Sequence, residues 1–326
     1  MEKEKQLELE QRIAQEYDNM AGIVLMKDNN VVYEKYFNGC DENSFIHVYS
    51  VSKSVLSILF GIAIDLKLIQ SVDQLVLEFF PNYKVKKHEH TLQNITIKDV
   101  LSMSAPYSYK DNPLTYIRYF MSKDWAKFAL DRLGGNGTIG EFRYTPLIGP
   151  DILSAILVQA TGQSVLAFAK QYLFDPLGII VEKSIILKNA KGQMEFNKAT
   201  NISGWVEDSC GLQSGGWGLT LRLKDMAKIA QLFLQGGVWN QQQVVSSSWI
   251  KECTKEHNRY QEMNLAYGYL WWILDDQSYA AMGDGGNIIY YNTKKNLIVC
   301  SSSLFVKDAK DRIALIKDFI EPILED

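Results

Sequence analysis

The chain has 326 residues, of which 47% are hydrophobic and 22% are charged, proportions that are ordinary for a globular protein with a substantial core. Its 34 basic and 38 acidic side chains give a net charge of -4, and no basic cluster stands out beyond residues 84–87. This charge pattern argues against a nucleic-acid partner.

The N-terminal segment is charged over residues 1–5 and lacks the apolar core of a secretory signal, so we expect a cytoplasmic protein. The most apolar run, residues 55–68, contains Asp65 and Lys67 and is too short to span a membrane. We interpret it as a buried helix and expect no membrane association.

The cysteines and histidines form no recognisable metal or disulfide motif. The cysteines are Cys40, Cys210, Cys253 and Cys300. They are widely separated and include no C-x-x-C pair, which favours reduced thiols. His88 and His90 lie in a polar stretch, where a solvated turn is a better interpretation than a metal site. We therefore predict no metal and no organic cofactor.

The predicted elements begin with a helix over residues 3–18, which are rich in Glu, Gln, Leu and Lys and contain no Gly or Pro. Two β-rich runs follow at residues 22–26 and 31–36. The turn-forming residues 28–30 join them, which predicts a hairpin.

From Ser50 to about residue 235 the pattern is mainly helical. Capping and stop signals predict helices near residues 96–101, 150–160, 165–174 and 224–235. After residue 265 the β pattern returns, and the predicted strands are 267–272, 279–282, 288–291 and 297–300. A closing helix is predicted over residues 308–320.

Strands at both ends with helices between them predict an α+β fold. One antiparallel sheet is built from the N- and C-terminal segments, is flanked by helices, and carries an inserted helical lobe. We expect a single domain over residues 1–326, with a sheet lobe at about 1–49 and 260–326 and a helical lobe at about 50–259.

The candidate catalytic element is S-x-x-K at residues 50–53, at the start of a strongly apolar helix. Positions three apart share a helix face, so the Lys53 amine can lie beside the Ser50 hydroxyl. The helix N-terminus favours an oxyanion, and burial favours the neutral lysine that can accept a proton from serine. A capping serine is the structural alternative.

A second S-x-x-K occurs at residues 248–251, so the motif alone is not specific. There, Ser247 or Ser248 is more naturally a helix cap. The first copy is distinguished by its context, because it opens a deeply apolar helix directly after the predicted hairpin.

With the S-x-x-K element at residues 50–53, the chain resembles the serine β-lactamase, D,D-peptidase and esterase superfamily, closest to its class C-like branch. The similar segments are 49–54 (YSVSKS), 96–104 (TIKDVLSMS), 215–228 and 234–239. They occur in the family's order over about residues 20–305. The resemblance implies a β-lactamase/transpeptidase-like fold and acyl transfer through a serine ester.

The resemblance also implies a tyrosine-led second element, which best matches residues 144–146 (YTP). Tyr144 would be held as phenolate or share its proton, acting as general base to Ser50 and general acid to the leaving group. The alternative is a core tyrosine with a satisfied hydroxyl. Pro146 departs from the pattern, because many relatives have an asparagine there that holds a substrate carbonyl.

The third element by resemblance is residues 282–287 (MGDGGN), which aligns with a family G-H-G-G-Q run. This places Asp284 where a cation is usual, with Gly285 and Gly286 lining the substrate strand. Asn287 would supply the second oxyanion-hole N–H. An offset of one residue in the alignment would assign this N–H to a neighbour of Asn287. The alternative is a plain glycine-rich turn.

These residues predict a serine hydrolase that acts through Ser50, Lys53 and Tyr144 on a small-molecule ester, amide or β-lactam. We expect weak β-lactam hydrolysis because of Pro146 and Asp284. An α/β-hydrolase is excluded by the absence of a G-x-S-x-G elbow. The competing hypothesis is a catalytically lapsed relative that serves as a sensor or binding protein.

Overall fold

The computed structural model describes residues 1–325 and is organised around an eight-stranded sheet. The strands are β1 (Met20–Lys27), β2 (Asn30–Tyr36), β3 (Ile46–His47), β4 (Lys183–Ile186), β5 (Gly204–Glu207), β6 (Thr220–Leu221), β7 (Val238–Trp239), β8 (Gln242–Gln243), β9 (Asn258–Tyr260), β10 (Leu265–Tyr267), β11 (Trp272–Ile273), β12 (Ser278–Gly283), β13 (Asn287–Asn292) and β14 (Leu297–Ser303). The large sheet has the order β2-β1-β14-β13-β12-β11-β10-β9, and each neighbouring pair is antiparallel. The predicted sheet built from both ends of the chain is confirmed.

The helices lie on both sides of this sheet. They are α1 (Lys3–Glu16), α2 (Val51–Asp65), α3 (Ile97–Leu101), α4 (Pro113–Met121), α5 (Trp125–Leu130), α6 (Ile148–Thr161), α7 (Val165–Ala169), α8 (Asp175–Leu177), α9 (Ala190–Lys198), α10 (Leu223–Leu234), α11 (Ser247–Cys253), α12 (Arg312–Leu315) and α13 (Glu321–Glu325). Wider π turns at Lys170–Phe174 and Ile316–Ile320 join α7 to α8 and α12 to α13.

The N-terminal hairpin shows how local chemistry sets the sheet. Asp28 and Asn29 both have positive φ, 49° and 63°, which these residue types tolerate better than most and which a two-residue hairpin turn requires. Alternating side chains of β1 then point to opposite faces. Ile23 belongs to the cluster that includes α1 and the C-terminal helices, whereas Val24 belongs to the larger cluster around α2.

Helix α2 is the centre of the larger core. Every residue from Val51 to Ala63 is buried, as the apolar run predicted. Gly61 leaves room for a neighbouring ring, because a Cβ there would lie 2.2 Å from a carbon of Trp249. A helix enclosed on all sides in this way gives a fixed position to Ser50, the residue that directly precedes it.

The sequence prediction differs from the structure in two places. Residues 267–272 form two strands rather than one, because Leu270 adopts a φ of 63° and the Gly268 N–H donates to the Trp271 carbonyl at 2.8 Å. The alternating aromatic pattern there reflects a turn that packs on the helical lobe, where the Leu270 N–H donates to the Leu101 carbonyl. The segment predicted to be mainly helical, from Ser50 to about residue 235, also contains the short strands β4 to β6.

Within residues 1–325, no single helix is both long and apolar enough to cross a membrane. One bent pair, Ile148–Thr161 with Val165–Leu177, meets the length and composition together, with 74° between its members.

Candidate active site

Ser50 lies at the N-terminal end of α2, half-buried at the edge of a cavity. Its side chain does not cap the helix, which removes the structural explanation for a serine at this position. The preceding residue, Tyr49, has a φ of 49°, in the left-handed region that non-glycine residues rarely adopt. Strained backbone of this kind is concentrated at functional sites, where surrounding structure holds it in place.

Lys53 lies one turn along α2 and is 1% exposed. Its Nζ is 2.8 Å from Ser50 Oγ, 2.8 Å from the Pro146 carbonyl oxygen and 3.0 Å from the Gly216 carbonyl oxygen. Burial lowers the pKa of Lys53 to about 7, against the opposing charges of Asp284 and Asp151. A neutral amine has two N–H bonds, which the two carbonyls accept, so its lone pair faces the Ser50 hydroxyl.

Tyr144 lies near both Ser50 and Lys53 and stacks on Trp272, with ring centroids 5.8 Å apart. The Lys53 Nζ is 5.1 Å from the centroid of the Tyr144 ring. Burial raises the pKa of Tyr144, and its hydrogen bond with Ser50 offsets this only in part. Burial therefore favours the protonated phenol of Tyr144 over the phenolate.

In the third element, residues 282–287, Gly283 rather than Asn287 packs against Ser50. A Cβ on Gly283 would lie 2.2 Å from the Val48 carbonyl oxygen and 3.2 Å from the Ser50 nitrogen, so only glycine lets β12 approach the start of α2 this closely. Asp284 follows directly and lines the same cavity as Ser50.

Gly285, Gly286 and Asn287 form the turn into β13 and lie away from the cavity of Ser50. Gly286 faces Arg312, and Asn287 is 1% exposed, with its amide donating to the Asp284 carbonyl at 2.8 Å. Asn287 lies on β13, one strand behind β12. The residue of this element that lies against Ser50 is thus Gly283, which pairs with Asn287 across β12 and β13.

The cavity beside Ser50 encloses about 230 Å³ and is lined mainly by rings and amides from distant parts of the chain. Its lining residues are His47, Tyr49, Ser50, Phe120, Pro146, Leu147, Gln193, Asn197, Gly216, Trp217, Asp284 and Phe305. Most of these were not predicted from sequence, because they share no motif or periodicity. Their common property is that three-dimensional packing brings them to one place.

His47 is a neutral histidine in this wall. Burial lowers its pKa to about 3, and its Nε2 accepts a hydrogen bond from the Gly218 N–H at 2.9 Å. Its Nδ1 therefore carries the proton and donates to Asn197 Oδ1 at 3.1 Å. The ring links the glycine segment behind Lys53 to helix α9.

Asp151 supports the same glycine segment from inside α6. Its carboxyl is fully buried, accepts from the Gly215 N–H at 2.9 Å and the Tyr119 hydroxyl at 2.7 Å, and burial raises its pKa to about 7. Gly216, the next residue, supplies a carbonyl to Lys53. Sequence reasoning missed Asp151, although a lone acidic residue within an apolar helix is a usable signal.

The rival S-x-x-K element lies on the surface. Ser246, not Ser247 or Ser248, caps α11 by accepting from the Trp249 N–H at 3.2 Å. Ser248 Oγ donates to Ser246 Oγ at 3.0 Å, and Lys251 is exposed. This pair therefore lacks the burial that lowers the pKa of Lys53.

No group of three or more His, Cys, Asp or Glu side chains suited to a metal is found among residues 1–325. His88 is exposed in a loop, and the four cysteines are free thiols.

Comparison with known proteins matches a family model described as Beta-lactamase to residues 9–317. A family VIII carboxylesterase superposes with a TM-score of 0.73 at 13% identity, covering 97% of this chain and 96% of that chain. A penicillin binding protein from Bacillus halodurans gives 0.71 at 13% identity, covering 95% and 99%. A penicillin-binding protein homologue from Caulobacter crescentus gives 0.69 at 14% identity, covering 92% and 91%. These likenesses confirm the predicted fold.

Proposed function

Because the chain belongs to the Beta-lactamase family, we propose that it is a serine hydrolase that forms an acyl-enzyme on Ser50. The observation that carries the proposal is the 2.8 Å contact between Ser50 Oγ and the buried Lys53 amine. A lysine whose pKa is lowered to about 7 is a competent base near neutral pH. The intact pair supports a working hydrolase over the alternative of a catalytically lapsed relative.

In acylation, Ser50 Oγ attacks the substrate carbonyl carbon while its proton passes to Lys53 Nζ. The negative charge that develops on the carbonyl oxygen is met by the Ser50 N–H at the start of α2 and by a backbone N–H at the end of β12, which Gly283 brings against Ser50. When the carbon to leaving-group bond breaks, the Tyr144 phenol donates a proton to the leaving group and recovers one from Lys53. Water then attacks the ester and releases the acid, with the same groups moving the protons in reverse.

The substrate class we propose is a small ester or amide. The cavity of about 230 Å³ lies below the usual range for drug-sized ligands, and its walls are mainly apolar. The similarity to a family VIII carboxylesterase and to penicillin-binding proteins leaves both esters and amides within the class. The charge at Asp284 then favours substrates that present no carboxylate.

We expect p-nitrophenyl butyrate to be hydrolysed with a higher kcat/KM than nitrocefin, by about 10- to 1,000-fold. The nitrocefin carboxylate would approach the Asp284 carboxylate, and like charges about 4 Å apart repel by ~1 kcal/mol in water and about 4 kcal/mol near a protein surface. Pro146 also removes an amide donor worth about 1 kcal/mol. Absorbance assays of both substrates check this, and efficient nitrocefin turnover with little esterase activity would contradict it.

The proposed acyl-enzyme itself is tested by covalent labelling. A fluorophosphonate should add one equivalent to the chain in an intact mass spectrum, and peptide mapping should place the adduct on Ser50. An adduct on Ser248, or a folded protein that takes up no label, would overturn the proposal. The second of these results would favour the lapsed sensor or binding protein.

A further inference from the structure

The Asp284 carboxylate is an unpaired negative charge at the mouth of the cavity. The residue is exposed, and within the described part of the chain its side chain makes no hydrogen bond or ion pair. Among residues 1–325, no arginine or lysine lines this cavity. Lys53 is close by, but its amine is engaged behind Ser50. On the other side of the turn, Asp284 also borders a groove lined by Lys307, Lys310 and Arg312. Lys310 pairs with Glu16, and Arg312 donates to Asn19 and Ser303.

Aromatic rings continue from this carboxylate along the wall of the cavity. Tyr49 lies 5.4 Å from Phe305 and 3.8 Å from His47 between ring centroids, and His47 lies 5.9 Å from Trp217. Tyr49 is 9% exposed, and its buried hydroxyl has no hydrogen-bond partner among the described residues. These rings therefore line the cavity beside a carboxylate, and no lysine or arginine is among the residues that line it.

We propose that this cavity binds an alkylammonium group of the substrate, a deduction that rests on the proposed function of Ser50. A cation over an aromatic face is attracted by the ring quadrupole, and the attraction grows when water is excluded. A carboxylate at the mouth adds a direct charge interaction. A neutral apolar group in the same place would cover Asp284 without pairing its charge, which is unfavourable.

The inference is tested with substrates that differ in charge but not in shape. Butyrylthiocholine and S-(3,3-dimethylbutyl) thiobutanoate share an acyl group and differ in one atom, the ammonium nitrogen that replaces a carbon. We expect kcat/KM for the cationic thioester to be at least about 10-fold higher. Equal values for the two thioesters would overturn the inference and leave the proposed hydrolase function standing.

Two variants separate the role of Asp284 from a general effect of charge. Asp284→Asn should reduce the ratio of the two kcat/KM values by about 10-fold, whereas Asp308→Asn should leave the ratio unchanged. Asp308 is an exposed aspartate on the same loop as Phe305 and does not line the cavity, so it is a matched control. An equal loss of the ratio in both variants would show long-range attraction rather than a site.

A binding measurement separates failure of this inference from failure of the proposed function. Choline should bind at least about 10-fold more tightly than the neutral isostere 3,3-dimethylbutan-1-ol in ligand-observed NMR titrations, and p-nitrophenyl butyrate should weaken the choline signal. If neither thioester is hydrolysed but choline is preferred, the hydrolase function fails and the cation site stands. If the two alcohols bind equally, the cation site fails.

Discussion

Replacing Ser50 with alanine is expected to lower esterase activity by at least about 10⁴-fold, because removing the nucleophile of an acyl-transfer site leaves only the contribution of binding and of the oxyanion donors. The fold should be retained. The Ser50 side chain caps nothing, and the Lys53 amine keeps its contacts with the Pro146 and Gly216 carbonyls. The free energy of unfolding should change by no more than about 1 kcal/mol.

Ser248→Ala is the matched control, because it removes the serine of the other S-x-x-K element from an exposed helix. This variant should keep full activity and full labelling by a fluorophosphonate. Initial rates with p-nitrophenyl butyrate and urea unfolding curves measure both effects. Activity that survives Ser50→Ala, in a protein free of wild-type contamination, would remove Ser50 from the mechanism.

Replacing Lys53 with methionine should lower kcat/KM by about 100-fold or more, the usual scale for losing a positioned base. Methionine is an unbranched side chain of similar length that can fill the buried position of Lys53, but it cannot accept the Ser50 proton. Lys251→Met is the control, because Lys251 belongs to the exposed second S-x-x-K element. This variant should have the same kcat/KM as the wild-type protein. If Lys53→Met retains wild-type kcat/KM, another group activates Ser50.

The lowered pKa of Lys53 fixes the direction of the pH dependence. Below a pKa of about 7 the amine is protonated and cannot act as a base, so kcat/KM of the wild-type protein should fall about 10-fold for each pH unit below that value. The residual kcat/KM of Lys53→Met should not show this decrease below pH 7. Rates between pH 5 and 9 with a neutral ester measure the difference, and an identical profile for both proteins would exclude Lys53 as the titrating group.

The lowered pKa of Lys53 also makes the free energy of unfolding depend on pH. Between about pH 7 and the usual lysine value of 10.5, the unfolded chain holds a proton that the folded chain does not. Stability of the wild-type protein relative to Lys53→Met should therefore rise with pH in that window, by about 1.4 kcal/mol per pH unit, and stay level below pH 7.

Local signals in the sequence were sufficient for the framework of the fold and for part of the site. The hairpin follows from Asp28 and Asn29, whose residue types tolerate the required positive φ. The pairing of Ser50 with Lys53 follows from helical spacing and from the apolar run after them. These predictions rest on short-range geometry, which a single sequence expresses directly.

The predictions that failed depend on contacts between distant segments. Three glycines, Gly283, Gly285 and Gly286, can each serve as the close-approach residue of the third element, and only the packing of β12 on α2 selects Gly283. Leu270 adopts its positive φ because its N–H bonds to Leu101, far away in the chain. No periodic pattern records such contacts.

The strained backbone at Tyr49 limits how this cavity can change. Glycine would relieve about 1 to 2 kcal/mol of left-handed strain at this position, and for stability alone it is the better residue. It would also remove the ring between His47 and Phe305, widening the chamber next to the nucleophile. Stability and selectivity therefore oppose each other at this position, because the tyrosine ring that narrows the cavity is held at a cost to the free energy of unfolding.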